Sequence, residues 1–456
     1  MPILIIKMVF ILGVPVLAGA IFYKCLFPGE NPFSPGSLSV SFGAGMGILG
    51  QVMLYTGMFH RGINILNVTF WMGTAAAVCL LVYLRKCVLK KPAAVPDTGR
   101  TLPGARASLA VKVLAACATV YIATYVFYVF MHALTLPVFG WDTIASAGFK
   151  AKVIFNERSI RHLKYFPNAS FPLQLPFMMA WFNIVLGKWN DQYVKIFFPL
   201  VFMSFVIVFY GFLRKCTTRM WALLGVALLF SSNLFIAHGT ISYRDLLMLY
   251  YNVCCIMFLL EWSRTKDDSY LVLTSFFAGF GASTKLEGYV YVLVYILLFT
   301  MFLAMKNELR KGLAAKCVKF SVPALSMSLP FVLYKAFNGV MVNQKFVIDT
   351  SIDYLSRIIS TLLRFNESLF LTANWNILWF IMIVSSLANY KKFRADLKIT
   401  ALAVSVLAFF AIHICVAVFT VNYEQLLATV TLPRVILHFF PLSVLLIVLL
   451  NYRAEV

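Results

Sequence analysis

The chain has 456 residues, 61% hydrophobic and 12% charged, with a formal net charge of +22. Soluble domains carry about a quarter charged residues, and a mean hydropathy of +0.86 leaves too little polar surface for water, so a soluble enzyme or binding module is excluded. The basic excess falls in short loops between apolar runs, where it signals topology and attraction to anionic membrane lipid; nucleic acid is not an expected partner.

Apolar windows of roughly 17 to 25 residues predict an all-α transmembrane bundle of thirteen spans. They lie near 3–24, 39–59, 66–84, 109–131, 193–213, 218–236, 245–262, 269–284, 288–305, 317–336, 371–389, 398–420 and 432–450. The first run lacks a basic leader and a small-residue cleavage site, so it reads as a retained helix. A basic linker at 85–108 follows the third span, with Arg85, Lys86, Lys90, Lys91, Arg100 and Arg106 against Asp97. Its prolines and glycines divide a three-helix N-terminal unit (1–84) from a ten-helix body (109–456).

The linker and three later loops (Arg214/Lys215/Arg219, Lys306/Arg310/Lys311/Lys316 and Lys391/Lys392/Arg394/Lys398) all fall on one face. By the positive-inside rule that face is cytoplasmic. Two long loops, 132–192 and 337–370, then lie outside. Residues 171–187 are apolar but short and opened by Pro172 and Pro176, which predicts an interfacial or re-entrant helix rather than a span. No internal repeat and no helix broken near the midplane is visible. The nine cysteines show no CxxC pair and no metal spacing, and Cys79, Cys117, Cys254, Cys255 and Cys415, inside apolar runs, read as small buried hydrophobes.

Ionisable residues at the outer ends of spans are the candidates for chemistry. In GWDTIASAGFKAKVIF, Asp142 stands beside Trp141, ahead of a helix over 144–155 with Lys150 and Lys152 interleaved. In ISYRDLLMLYYN, Arg244 and Asp245 open a span, and helix capping accounts for Asp245 as well as a functional role does. Lys285 and Glu287 occupy a tight turn in AGFGASTKLEGYVYV, which needs only glycine and polar residues to form. Arg434, in TLPRVILHFFPL, sits at the mouth of the last span with His438 one turn deeper; snorkelling to a lipid phosphate is the alternative for Arg434. A carboxylate with several cations near an interface can take a proton from a hydroxyl and stabilise a departing phosphate.

These residues resemble the GT-C glycosyltransferases, and within them the branch of protein O-mannosyltransferases and lipid A aminoarabinose transferases. The likeness covers about three-quarters of the chain. It rests on GWD at Asp142, YFPNASFPLQLPFMMAWFNIVLG after it, YRD at Asp245, AGFGASTKLEG at Thr284 and Lys285, and LPRVILHFFP at Arg434 and Pro441. Two departures stand out. Thr143 replaces the second acid that many members carry, which removes the pair a metal site needs, and the three N-terminal helices have no counterpart.

The resemblance implies a polyprenyl-phosphate sugar as donor, a lipid, glycan or protein acceptor, and inversion at the anomeric carbon. It also implies a bacterial inner membrane location with the site facing outward. Asp142 is then the expected general base and Lys285 and Arg434 the phosphate ligands, with Arg244, Asp245, Glu287, Lys150, Lys152 and His438 in support. No cofactor is expected, and a divalent metal is not required. A transporter or flippase of lipid-linked glycans, or a polysaccharide polymerase or ligase, stays open as the alternative.

Overall fold

The computed structural model describes residues 2–59, 62–89, 108–166, 168–340, 347–349 and 353–453. Residues 90–107, with Lys90, Lys91, Asp97, Arg100 and Arg106 of the predicted linker, lie outside that set, as do 341–346 and 350–352 of the second predicted outer loop. Among the described residues the chain is helical without a strand; one isolated bridge pairs Ile348 with Thr420.

The helices begin with α1 (Pro2–Leu26), α2 (Pro35–Met58), α3 (Ile65–Leu89) and α4 (Leu109–Thr135), then the short α5 (Gly148–Glu157) and α6 (Gln174–Leu186). Next come α7 (Phe197–Cys216), α8 (Arg219–Leu229), α9 (Asn233–Thr240), α10 (Arg244–Thr265), α11 (Asp268–Thr284), α12 (Glu287–Met305) and α13 (Leu313–Phe337). The chain closes with α14 (Tyr354–Asn366), α15 (Leu378–Ala388), α16 (Lys392–Ala395), α17 (Leu397–Phe419), α18 (Tyr423–Leu427), α19 (Thr431–Leu437) and α20 (Phe440–Asn451).

Nine helices among the described residues are long and apolar enough to cross a membrane, or eleven spans if each of two bent pairs counts as one. The chain is a multi-pass membrane protein. Two of the thirteen predicted spans fall short of that test. The window at 269–284 is α11, with 17 residues, and that at 371–389 reduces to α15, with 11, about 16 Å of helix against a hydrocarbon core of about 30 Å.

The predicted absence of broken helices is corrected. The window at 218–236 spans α8 and α9, which meet at 76°, and that at 432–450 spans α19 and α20, which meet at 48°. Ser232 starts α9 afresh by accepting the Phe235 N–H at 3.2 Å. Pro441, in the first turn of α20, has no N–H with which to continue the ladder from α19. A hydropathy average passes over both breaks.

Helix α10 is the centre of the bundle, buried from Arg244 to Ser263. The N-terminal helices join it through α2. A Cβ on Gly19 would strike the Ser41 carbonyl and one on Gly45 the Pro15 carbonyl, so α1 and α2 touch backbone to backbone. On the other face of α2, Tyr250 and Tyr251 of α10 donate to the carbonyls of Ser39 at 2.8 Å and Gly43 at 3.0 Å. Helix α6, buried at all 13 residues, is also held by α1: Trp181 Nε1 donates to the Ile11 carbonyl at 3.0 Å, and Lys7 Nζ donates to that of Leu186 at 2.7 Å. The segment is therefore enclosed by protein, not laid on the lipid surface.

Candidate functional site

Four separated parts of the chain bring polar side chains to one cavity of about 460 Å³. Asp142 comes first, two residues after Gly140, whose φ of +96° turns the chain in a way few other residues allow. A single π-helical turn, Thr143–Ala147, leads from Asp142 into α5, and Thr143 Oγ1 fastens it by donating to the Ser242 carbonyl at 2.7 Å. Arg244 and Asp245 open α10. Lys285 and Leu286 are the whole connection between α11 and α12. The turn is this tight because two glycines face each other: a Cβ on Gly288 would lie 2.5 Å from the Gly281 carbonyl. Arg434 rides on α19, and His438 sits at its break from α20. The Leu442 N–H, which a continuous helix would give to the His438 carbonyl, goes to Phe439 instead, and Asn252 Nδ2 donates to the His438 carbonyl at 2.8 Å.

Asp245 is the hub. Its side chain is 0% exposed. Oδ1 accepts from Lys285 Nζ at 2.9 Å and His438 Nε2 at 3.0 Å; Oδ2 accepts from Arg434 Nε at 3.1 Å and Nη2 at 2.8 Å. Both oxygens are thus taken by side chains rather than by the first N–H groups of α10, so capping does not account for this residue. A buried carboxylate is tolerable only with such compensation.

Lys285 also meets Glu287 Oε1 at 3.1 Å. Arg434 stacks 4.6 Å from the Tyr243 ring centre and reaches Asp142 Oδ2 through Nη2 at 2.5 Å. The Tyr243 phenol is pushed up, first by burial and then by Asp142. Asp142 itself is 42% exposed and lines the cavity.

Lys285 and Arg434, the expected phosphate ligands, are therefore each held by acids already. Arg244 is not. It is 8% exposed and lines the cavity, its Nη2 donates to Ser146 Oγ at 3.3 Å, and its Nε is buried without a hydrogen-bond partner. Its guanidinium lies 5.4 Å from the Phe171 ring centre, and no carboxylate among the described residues pairs with it.

Lys150 also lies near this ring, 5.9 Å from its centre, fully buried and donating to the Asn168 carbonyl. Burial first, and the neighbouring Arg244 second, hold its ammonium well below the usual lysine range. Lys152 goes elsewhere: it is exposed, its ammonium 6.0 Å from the Trp189 ring centre, and neither lysine lines the cavity.

The sequence reading missed two residues. Tyr291 Oη lies 2.9 Å from His438 Nδ1 and 2.9 Å from His413 Nε2, which extends the network from Asp245 into α12 and α17. His413 carried a usable signal, an ionisable residue inside the apolar run AIHICV. Tyr291, one aromatic among many, carried none. Apolar Val290, Ile412 and Val416 complete the wall beside them.

Of the two carboxylates that line the cavity, Glu287 is held by Lys285 and Asp142 is the more open, able to accept a proton, with a guanidinium nearby that has hydrogen-bonding capacity to spare. Comparisons with protein-family models, curated proteins and solved structures return no match to this chain.

Proposed function

We propose that this chain is an inverting membrane glycosyltransferase, moving a sugar from a polyprenyl-phosphate donor to an acceptor hydroxyl at the outward face of the membrane. The observation that carries the reading is the division between two carboxylates joined by Arg434: Asp245 is sealed among three cationic or imidazole groups, while Asp142 opens on the cavity. Of these two, Asp142 is the one that can meet a substrate.

In the proposed step the acceptor oxygen attacks the anomeric carbon and the carbon–oxygen bond to phosphate breaks, its electron pair leaving with the phosphate. The hydroxyl proton goes to Asp142. The donor phosphodiester, with one negative charge, becomes a monoester carrying the developing second charge, which the Arg244 guanidinium is placed to meet. As Asp142 gains its proton it loses its hold on Arg434, whose Nη2 stays on Asp245 and has its second N–H released for the phosphate. Lys285 keeps Asp245 ionised and fixes the geometry rather than binding donor. This reassigns the phosphate contact from Lys285 to Arg244, because Lys285 already meets two acids. The chemistry calls for no metal.

The two bent helix pairs favour a second reading, movement of a lipid-linked glycan across the membrane, since transporters place broken helices at their binding sites. Incubating the purified protein with a radiolabelled polyprenyl-phosphate sugar and a cell-envelope acceptor extract separates the two. Release of sugar-free polyprenyl phosphate supports transfer. Donor left intact by the protein, but carried across a vesicle membrane, sinks it.

A further inference from the structure

We propose that His413 reads a hydroxyl of the transferred sugar through Nδ1, its proton fixed on the other nitrogen by a chain that starts at Asp245; the proposal rests on the glycosyl-transfer reading. The chain sets direction by elimination. An ionised carboxylate only accepts hydrogen bonds, so His438 Nε2 donates to Asp245. Lys285 and Arg434 already bring two full charges to that carboxylate, and a third, on His438, would sit beside them, so His438 is neutral. Its Nδ1 therefore accepts the Tyr291 hydroxyl proton, and the Tyr291 oxygen in turn accepts from His413 Nε2–H.

What remains on His413 is the lone pair of Nδ1, which has no hydrogen-bond partner among the described residues. The ring is 3% exposed yet lines the cavity, and it stacks on Phe439 at 6.1 Å, which holds its plane. Two other groups of the same cavity are acceptors, although Glu287 also meets Lys285. Asn422 Oδ1 is buried without a partner, and Glu287 is a carboxylate. Acceptors with capacity to spare suit a ligand that brings many O–H donors, which is the chemistry of a sugar ring.

Two substitutions separate reading from support. In His413→Gln the new amide reaches where Nε2 sits and keeps the Tyr291 contact; in His413→Asn the shorter amide falls near Nδ1 and gives the Tyr291 contact up. The protein, reconstituted in nanodiscs, is titrated with decaprenyl phosphate and with its glucosyl, mannosyl and galactosyl esters. The expected result is that wild type binds one sugar ester more tightly than the bare lipid phosphate. His413→Gln loses that margin by about tenfold without altering affinity for the bare lipid, and His413→Asn keeps most of it.

Retention in the His413→Gln variant and loss in the His413→Asn variant makes His413 a structural prop and overturns the proposal. So does a wild type that binds every ester no better than the bare lipid. Should wild type bind none of the four lipids, the transferase reading itself fails. If His413→Gln does not fold, Tyr291→Phe carries the test: it unfixes the His413 proton and is expected to narrow the same margin, and an unchanged margin refutes the chain.

Discussion

One nitrogen of Arg434 serves both acids of the site: Nη2 lies 2.5 Å from Asp142 Oδ2 and 2.8 Å from Asp245 Oδ2. The two contacts differ in kind. The bond to Asp245 is sealed from solvent and joined by Nε of the same side chain, whereas the bond to Asp142 is at an open edge and single. Arg434 is therefore anchored on one side and releasable on the other.

Asp142→Asn keeps the shape of the side chain and removes the base. Turnover of a polyprenyl-phosphate sugar is expected to fall about 10² to 10⁴-fold, with the fold and donor binding retained. Asp245→Asn strands buried cations and is expected to cost about 3 to 5 kcal/mol of stability. Thermal denaturation beside steady-state turnover distinguishes the two. A folded, inactive Asp245→Asn beside a near-normal Asp142→Asn would exchange their roles.

Arg244→Ala should weaken donor binding by about 1.5 to 3 kcal/mol, the worth of a charge-assisted contact, and Arg244→Lys should restore little of it if the guanidinium grips two phosphate oxygens. Lys285→Ala is expected to lower stability more than donor affinity. Normal donor binding in Arg244→Ala, with loss in a well-folded Lys285→Ala, returns the phosphate to Lys285.

Lys150 gives a pH signature. Its ammonium is held well below the ordinary lysine range, so over that interval the unfolded chain binds a proton that the folded chain does not. Stability from this site therefore rises with pH, is complete above the unfolded lysine value near 10.4, and is lost as pH falls. Lys150→Met, which keeps the stem and removes the amine, should flatten the rise. The quantity to follow is the difference in thermal midpoint between wild type and variant from pH 7 to 10; a constant difference contradicts the assignment.

Topology is tested by cysteine labelling in intact cells on a cysteine-free background. Tyr165→Cys, on the loop that carries the cavity, should react with a membrane-impermeant maleimide. Ala94→Cys, in the basic linker and outside the described residues, should react only after permeabilisation. The reverse pattern would invert the orientation.

Asp142, Asp245, Lys285 and Arg434 were legible because each stands at a span end, where a charge has few bland explanations, and the structure brings all four together. Periodicity placed Lys150 and Lys152 on a helix, and α5 bears that out. It could not say that one is sealed under Phe171 while the other faces out, since depth is decided by what the helix packs against. The reading of unbroken helices at 218–236 and 432–450 failed where backbone chemistry, a capping serine at Ser232 and a proline at Pro441, overrode hydropathy. Which cation keeps a free valence was invisible for another reason: it depends on how acids are shared in space, and Arg244 adjoins Asp245 in sequence without pairing with it.

The seat of α2 has a consequence for how the protein is made. Its carbonyl at Ser39 waits for the hydroxyl of Tyr250, 211 residues later. At about 5 to 20 residues per second, α1 and α2 spend on the order of tens of seconds in the bilayer before α10 exists to cover them. Through that interval the glycine-rich face of α2 is open to lipid and to any other small-residue helix nearby. Backbone contact between α1 and α2 through Gly19 and Gly45 needs no later part of the chain, so this pair can form first and present a ready groove. The order of synthesis thus makes the N-terminal hairpin a template, and damage at Gly45 should be felt in yield of inserted protein before it is felt in catalysis.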